Sequence, residues 1–163
     1  MEKKMDRLNA VRNSSKYKLL LARINENEAD RKFCRHGIEH CLDVARIAYI
    51  MNLEQKLNIP KEIIYTASLL HDIGRADNSI LGKNHHELSC IYAEDIMKDC
   101  GFDENEIEIV LEAIAAHNTD GISQTGLPYL LYKADKLSRN CFDCDMYQEC
   151  YWETDAKNHV IRF

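Results

Sequence analysis

Residues 63–70, Ile-Ile-Tyr-Thr-Ala-Ser-Leu-Leu, form an apolar run that ends on His71-Asp72 and continues into Ile73-Gly74-Arg75. An apolar run of this length and spacing predicts a buried helix. Its end therefore carries an imidazole and a carboxylate, side by side, into the interior. Buried charges are paired or coordinated to a metal, because leaving them bare costs too much. Any fold of this chain must bury 63–70 and also find partners for His71 and Asp72.

The rest of the chain supplies helices to do so. Two prolines and six glycines in 163 residues leave little room for tight turns and favour long helices over a sheet. Helices are expected over 3–12 and 16–30, the second striped by Leu19, Leu20, Leu21 and Ile24, with Asn13-Ser14-Ser15 as a break and N-cap. Gly37 precedes a third, over 38–56, with Cys41, Val44, Ala45, Ile47, Ala48 and Met51 on one face. Pro60 suits the first turn of a fourth, which runs to about His71. A loop is expected over 78–84, a fifth helix over 85–99 ended by Gly101, and a sixth over 104–117 capped by Asp103 with Glu106. A loop over 118–126 then leads to a seventh helix, 128–140. The reading is all-α.

Hydrophobic residues make up 45% of the chain and charged residues 29%, the balance of an ordinary globular protein with one core. The formal charge is -6 and no basic stripe stands out, so no nucleic-acid partner is implied. An anionic substrate stays open, since a bound cation dominates its own surroundings. No apolar stretch approaches the ~18 residues of a membrane span. The opening Met1-Glu2-Lys3-Lys4-Met5-Asp6 has no signal-peptide core behind it, and residence in the cytoplasm is expected.

Other segments offer partners for His71 and Asp72: His36 with His40, His85 with His86, His117, and Asp135 in Leu130-Leu131-Tyr132-Lys133-Ala134-Asp135-Lys136-Leu137. His36 and His40 stand four apart and can share a helical face. His40 is expected to look inward across from His71, and His36, at the helix start, to be exposed. A single helical histidine is usually a surface or hydrogen-bonded residue. Several together, with carboxylates, form a ligand set for Fe, Mn, Zn, Co or Ni.

The order His40, His71-Asp72, His85, His117, Asp135 resembles the HD-domain metal-dependent phosphohydrolase superfamily over roughly residues 33–140. The segments that carry the resemblance are His-Cys-Leu-Asp-Val-Ala, Leu-Leu-His-Asp-Ile-Gly-Arg and Ala-Asp-Lys-Leu-Ser-Arg. It implies an HD-domain helical bundle of about seven helices. It also implies one metal on His40, His71, Asp72 and Asp135, and in some members a second on His85 and His117, with Asp72 bridging. His85 is preferred over His86 because the family's histidine is followed four residues on by a small residue, here Ser89; His86 stays the alternative. The implied reaction is attack on phosphorus by a water made acidic by the metals. Arg75 and Lys136 would neutralise phosphate oxygens, with a surface salt bridge the plainer role for Arg75.

Within that superfamily, the guanosine tetraphosphate hydrolases carry two acidic residues after the His-Asp pair, where this chain has Gly74-Arg75-Ala76-Asp77. The cyclic-dinucleotide phosphodiesterases carry a doubled His and a Gly-Tyr-Pro motif, against a single His117 and Gly126-Leu127-Pro128-Tyr129 here. The nearest resemblance is to bacterial diadenosine tetraphosphate hydrolases, through His-Asp-Ile-Gly, the small residue after His85 and His117-Asn118-Thr119. The substrate expected is a small phosphate ester or nucleotide, handled by a monomer or homodimer. The rival reading is a metal or redox sensor, or a binding module, that keeps the fold without hydrolysis.

Seven cysteines, an odd number, argue against a disulfide framework. Cys141, Cys144 and Cys150 form a C-x2-C-x5-C cluster past Asp135, and Cys34 lies just before the helix of His40. Four thiolates would hold a structural Zn²⁺ or an iron–sulfur cluster. The competing account makes these cysteines small buried hydrophobes, as packing explains Cys41, Cys90 and Cys100. The chain thus divides into helices over 1–32 packing on a metal-binding domain over 33–140, and a Cys-rich segment over 141–163.

Overall fold

The computed structural model describes residues 5–117 and 125–163. The helices are α1 (Asp6–Asn13), α2 (Ser15–Asn27), α3 (Ile38–Glu54), α4 (Lys61–Leu70), α5 (Asn78–Leu81), α6 (His85–Asp99), α7 (Glu104–Ala116) and α8 (Gly126–Leu137). Seven are long, α5 is a single turn, and no strand occurs among the described residues. The all-α expectation holds. The expected loop over 78–84 contains α5, and α2 stops at Asn27 rather than residue 30. The expected loop over 118–126, and with it Asn118-Thr119, lies mostly outside the described residues.

Local chemistry sets the boundaries. Ser14 Oγ accepts the Tyr17 N–H at 3.2 Å and starts α2. Asp103 and Glu106 close a reciprocal capping box on α7, with 2.9 and 3.1 Å hydrogen bonds. Asn52 accepts from Ile59 N–H and donates to Ile59 O, which bridges the turn between α3 and α4.

The core gathers around α4, whose Ile63, Ile64, Thr66, Ala67, Ser68, Leu69 and Leu70 are all buried. It packs against α3, α7 and α1, while α8 lies against α3 and α7. Each fully buried Ile or Leu there contributes roughly 1.5–3 kcal/mol. Arg7 ties α1 to this core: Nη2 lies 2.7 Å from Glu62 on α4, and Nη1 2.6 Å from Glu106 on α7.

Past α4 the chain makes a 3-10 turn, Ile73–Ala76, that lies against α2 and α6. Gly74 makes this approach possible. A Cβ built on it would stand 2.1 Å from the His85 carbonyl oxygen and 2.5 Å from Ser89 N. The Gly74 N–H instead donates to Ser89 Oγ at 2.9 Å. That contact fixes the start of α6, and with it His85, beside Asp72.

Candidate metal centre

Five imidazole nitrogens and two carboxylates converge where α4 ends. Asp72 is almost fully buried, at 3% exposure, and its two oxygens face different groups. Oδ2 lies 3.3 Å from His71 Nε2 and 3.8 Å from both His40 Nε2 and His36 Nε2. Oδ1 lies 3.3 Å from His85 Nε2 and 3.6 Å from His117 Nε2. Asp135, from α8, brings Oδ1 to 3.3 Å of His40 Nε2 and 3.8 Å of His71 Nε2.

The far side of each ring fixes its tautomer. His71 Nδ1–H donates to Ser68 O at 2.7 Å, and His117 Nδ1–H to Ile114 O at 2.6 Å; a carbonyl can only accept. The Ser138 hydroxyl donates to Asp135 O at 2.8 Å, so its oxygen is left to accept from His40 Nδ1–H at 3.3 Å. In neutral rings the Nε2 lone pairs of His40 and His71 therefore point at each other across 3.3 Å. Two lone pairs so opposed need a positive charge between them, a shared proton or a metal ion. Orienting a histidine through its other nitrogen is how proteins prepare metal ligands.

Without a metal, the two carboxylates favour a proton in that place. Burial opposes charge on His71, but Asp72 and then Asp135 push its pKa up to about 10. Burial also works against the Asp72 carboxylate, yet the charge of His71 and the close rings of His117, His71 and His85 hold it well below the usual range. Asp135 is held low in the same way, against its burial, by His40 and His71. Asp72 Oδ1 and His85 Nε2 are sealed from solvent with no hydrogen bond of sound geometry. Arg75 Nε, 2.8 Å from Asp72 Oδ1, is in ion-pair contact but likewise lacks the hydrogen-bond angle. The donor set fits divalent transition metals of mixed nitrogen and oxygen preference.

All six expected ligand residues, His40, His71, Asp72, His85, His117 and Asp135, meet here. His85 faces Asp72. His86 stacks on it, ring centroids 3.8 Å apart, and brings Nδ1 to 3.2 Å of His117 Nδ1. Burial first, then the charges of His117 and His85, push His86 down to about 3. His85, His86 and His117 thus offer a nitrogen trio within 4.8 Å of one another.

His36 corrects the sequence reading, which expected it to be exposed. It is partly buried, and Glu28 grips it from the end of α2: Oε1 lies 2.6 Å from Nδ1, and Oε2 accepts the His36 backbone N–H at 2.7 Å. Burial works to raise the pKa of Glu28, but these bonds hold it below the ordinary value. His36 lies ahead of α3, so its four-residue helical spacing from His40 does not account for this placement.

A cleft of about 280 Å³ opens onto the site, rimmed by Arg31, Arg75, Lys136 and Arg139 and walled by Tyr151 and Trp152. The guanidinium of Arg139 lies 4.6 Å from the Trp152 ring.

The chain is 41% identical to an uncharacterized protein of Clostridium beijerinckii, over 98% of this chain and the whole of that one. It is 33% identical over 102 residues to ribonuclease Y of Desulfotalea psychrophila, covering 62% of this chain and 18% of that protein. No solved structure matches. The narrower resemblance to diadenosine tetraphosphate hydrolases is not borne out, since neither relative carries that activity in its name and the match is to the HD domain at large. That family matches over residues 37–140. The chain belongs to the HD domain family, whose members are typically metal-dependent phosphohydrolases.

Proposed function

We propose that the protein hydrolyses a small phosphate ester or nucleotide with one or two divalent transition ions. His40, His71, Asp72 and Asp135, joined by His36, would hold the first ion; Asp72, His85 and His117 would hold the second. The observation that carries this reading is the division of Asp72, with Oδ2 turned to His71 and Oδ1 to His85, each at 3.3 Å. When bound, such ions polarise phosphoryl oxygens and make water acidic enough to attack phosphorus near neutral pH.

The chain's own residues do the rest. Ser68 and Ile114 carbonyls hold the Nδ1 protons of His71 and His117, keeping Nε2 available. Arg75, 27% exposed at the cleft and leaning on Asp72, is positioned to neutralise an oxygen of the transferred phosphoryl group. Lys136 and Arg139 extend the cationic rim in a chain whose net charge is -6, which favours an anionic ligand there. The small cleft suits a low-molecular-weight ester better than a polymer, and the flat rings of Tyr151 and Trp152 suit a nucleobase.

The test is a panel of nucleotides, aryl phosphodiesters and a short RNA, assayed with Mn²⁺, Fe²⁺ and Ni²⁺. Turnover of a small ester that Asp72→Ala abolishes supports the proposal. No turnover of any member by metal-loaded protein supports a sensor instead.

A further inference from the structure

Residues 141–163 follow a defined course with little to hold them. They contain two short 3-10 turns, Cys141–Asp143 and Thr154–Ala156, and one buried side chain, Cys141. Backbone-directed hydrogen bonds secure the later part: Arg139 Nη2 donates to Ala156 O at 3.0 Å, and Asn158 Nδ2 to the carbonyls of Lys136 and Arg139 at 2.9 and 2.8 Å. A segment with so small an apolar core needs a covalent or metal staple. All seven cysteines are free thiols, so no disulfide supplies it.

Cys34, Cys141, Cys144 and Cys150 all line one cavity of about 680 Å³, beside the metal centre. Cys34 borders both that cavity and the cleft. Desolvation, and then the neighbouring thiols, raise its pKa while Arg139 lowers it, so Cys34 lies within reach of the other three sulfurs.

Zinc and an iron–sulfur cluster need different spacings of the four sulfurs. Tetrahedral zinc, with Zn–S bonds of about 2.3 Å, draws its four sulfurs to about 3.8 Å from one another. Among the described residues, the donor sets of three or more that gather within 4.8 Å of one another are His40-His71-Asp72 and His85-His86-His117; no three of these sulfurs do so. In an iron–sulfur cluster the thiolates are shared among several irons and held apart by the inorganic core. Arg139 adds a second sign. Its Nη1 is buried with no hydrogen-bond partner, while its charge acts on Cys34. An anionic cluster presents sulfur acceptors to such a donor.

We propose that Cys34, Cys141, Cys144 and Cys150 bind an iron–sulfur cluster, and that the cluster fixes the tail so that Tyr151 and Trp152 wall the cleft. On binding, each cysteine sulfur replaces a terminal thiolate on an iron of a preassembled cluster, and that thiolate leaves with the cysteine's proton as a free thiol; no electron is exchanged. The role is structural, and it stands whether or not the neighbouring site hydrolyses phosphate esters.

The full chain purified without oxygen, or loaded with a preassembled thiolate-ligated iron–sulfur cluster, is assayed for iron, acid-labile sulfide, visible charge-transfer absorption and paramagnetic resonance after reduction. The expected result is iron and sulfide in equal amounts, retained in Asp72→Ala and Cys100→Ser and lost in Cys144→Ser. Sulfide content separates this iron from any held at the imidazole site. Removing the cluster from the wild-type protein should expose the tail to limited proteolysis while the helical circular dichroism persists. Stoichiometric zinc on the cysteines without sulfide, or no metal there at all, overturns the proposal. An equally protected tail after cluster removal overturns its structural role.

Discussion

His36 Nδ1 lies 2.6 Å from Glu28 Oε1, so the ring of His36 is anchored by a carboxylate from another helix end and turns Nε2 toward Asp72. A carboxylate gripping the far nitrogen of a histidine orients it and raises its basicity as a ligand. His36→Ala and Glu28→Gln should each weaken binding of one ion by roughly 10–100-fold. Chelator competition with Mn²⁺ or Zn²⁺ measures this. Unchanged affinity in both variants would leave His36 a structural neighbour and nothing more.

Gly74 lets the 3-10 turn after Asp72 touch α6. Gly74→Ala forces a methyl into backbone atoms of His85 and Ser89, where neither can yield by rotating a side chain. The expected cost is about 1–3 kcal/mol of stability. Displacement of His85 from Asp72 should also lower metal stoichiometry. Calorimetry and metal analysis on the variant check both, and full metal content at wild-type melting temperature contradicts the packing argument.

Arg7 links α1 to α4 and α7, and its hydrogen bonds are the main reason that the Glu106 carboxyl sits below its ordinary value of 4.5. A lowered carboxyl contributes stability above the unfolded-state value, and that contribution is lost as pH falls through the folded one. Arg7→Ala should therefore lower the melting temperature by about 2–4 °C at neutral pH, for about 1 kcal/mol, and by less near pH 3. Thermal scans at the two pH values decide. An equal drop at both would assign the loss to packing against Phe102, whose ring lies 4.4 Å from the guanidinium.

The helices and most of the centre were legible in the sequence because each signal was local. Apolar spacing marks α3, α4 and α7, and the Asp103–Glu106 box marks where α7 begins. His40, His71, Asp72, His85, His117 and Asp135 lie at helix ends or on inward faces of helices whose packing brings them together. What was hidden depended on contacts between distant elements. Glu28, counted within the second helix, instead stands just past α2 and hydrogen-bonds His36, so neither the early end of α2 nor the inward turn of His36 follows from spacing. The preference for His85 over His86 was drawn from Ser89 by resemblance; its physical reason, the way Gly74 and Ser89 seat α6, is a contact 15 residues apart in sequence.

The central claim is that Asp72 stands between two cation positions. Anomalous scattering at the metal absorption edge, from crystals soaked in Mn²⁺ or Fe²⁺, tests it most directly. The account predicts two peaks about 3.5–4 Å apart, one on the His40–His71–Asp135 side of Asp72 and one on the His85–His117 side. No peak within bonding distance of Asp72, or ions bound only at the protein surface, would contradict it.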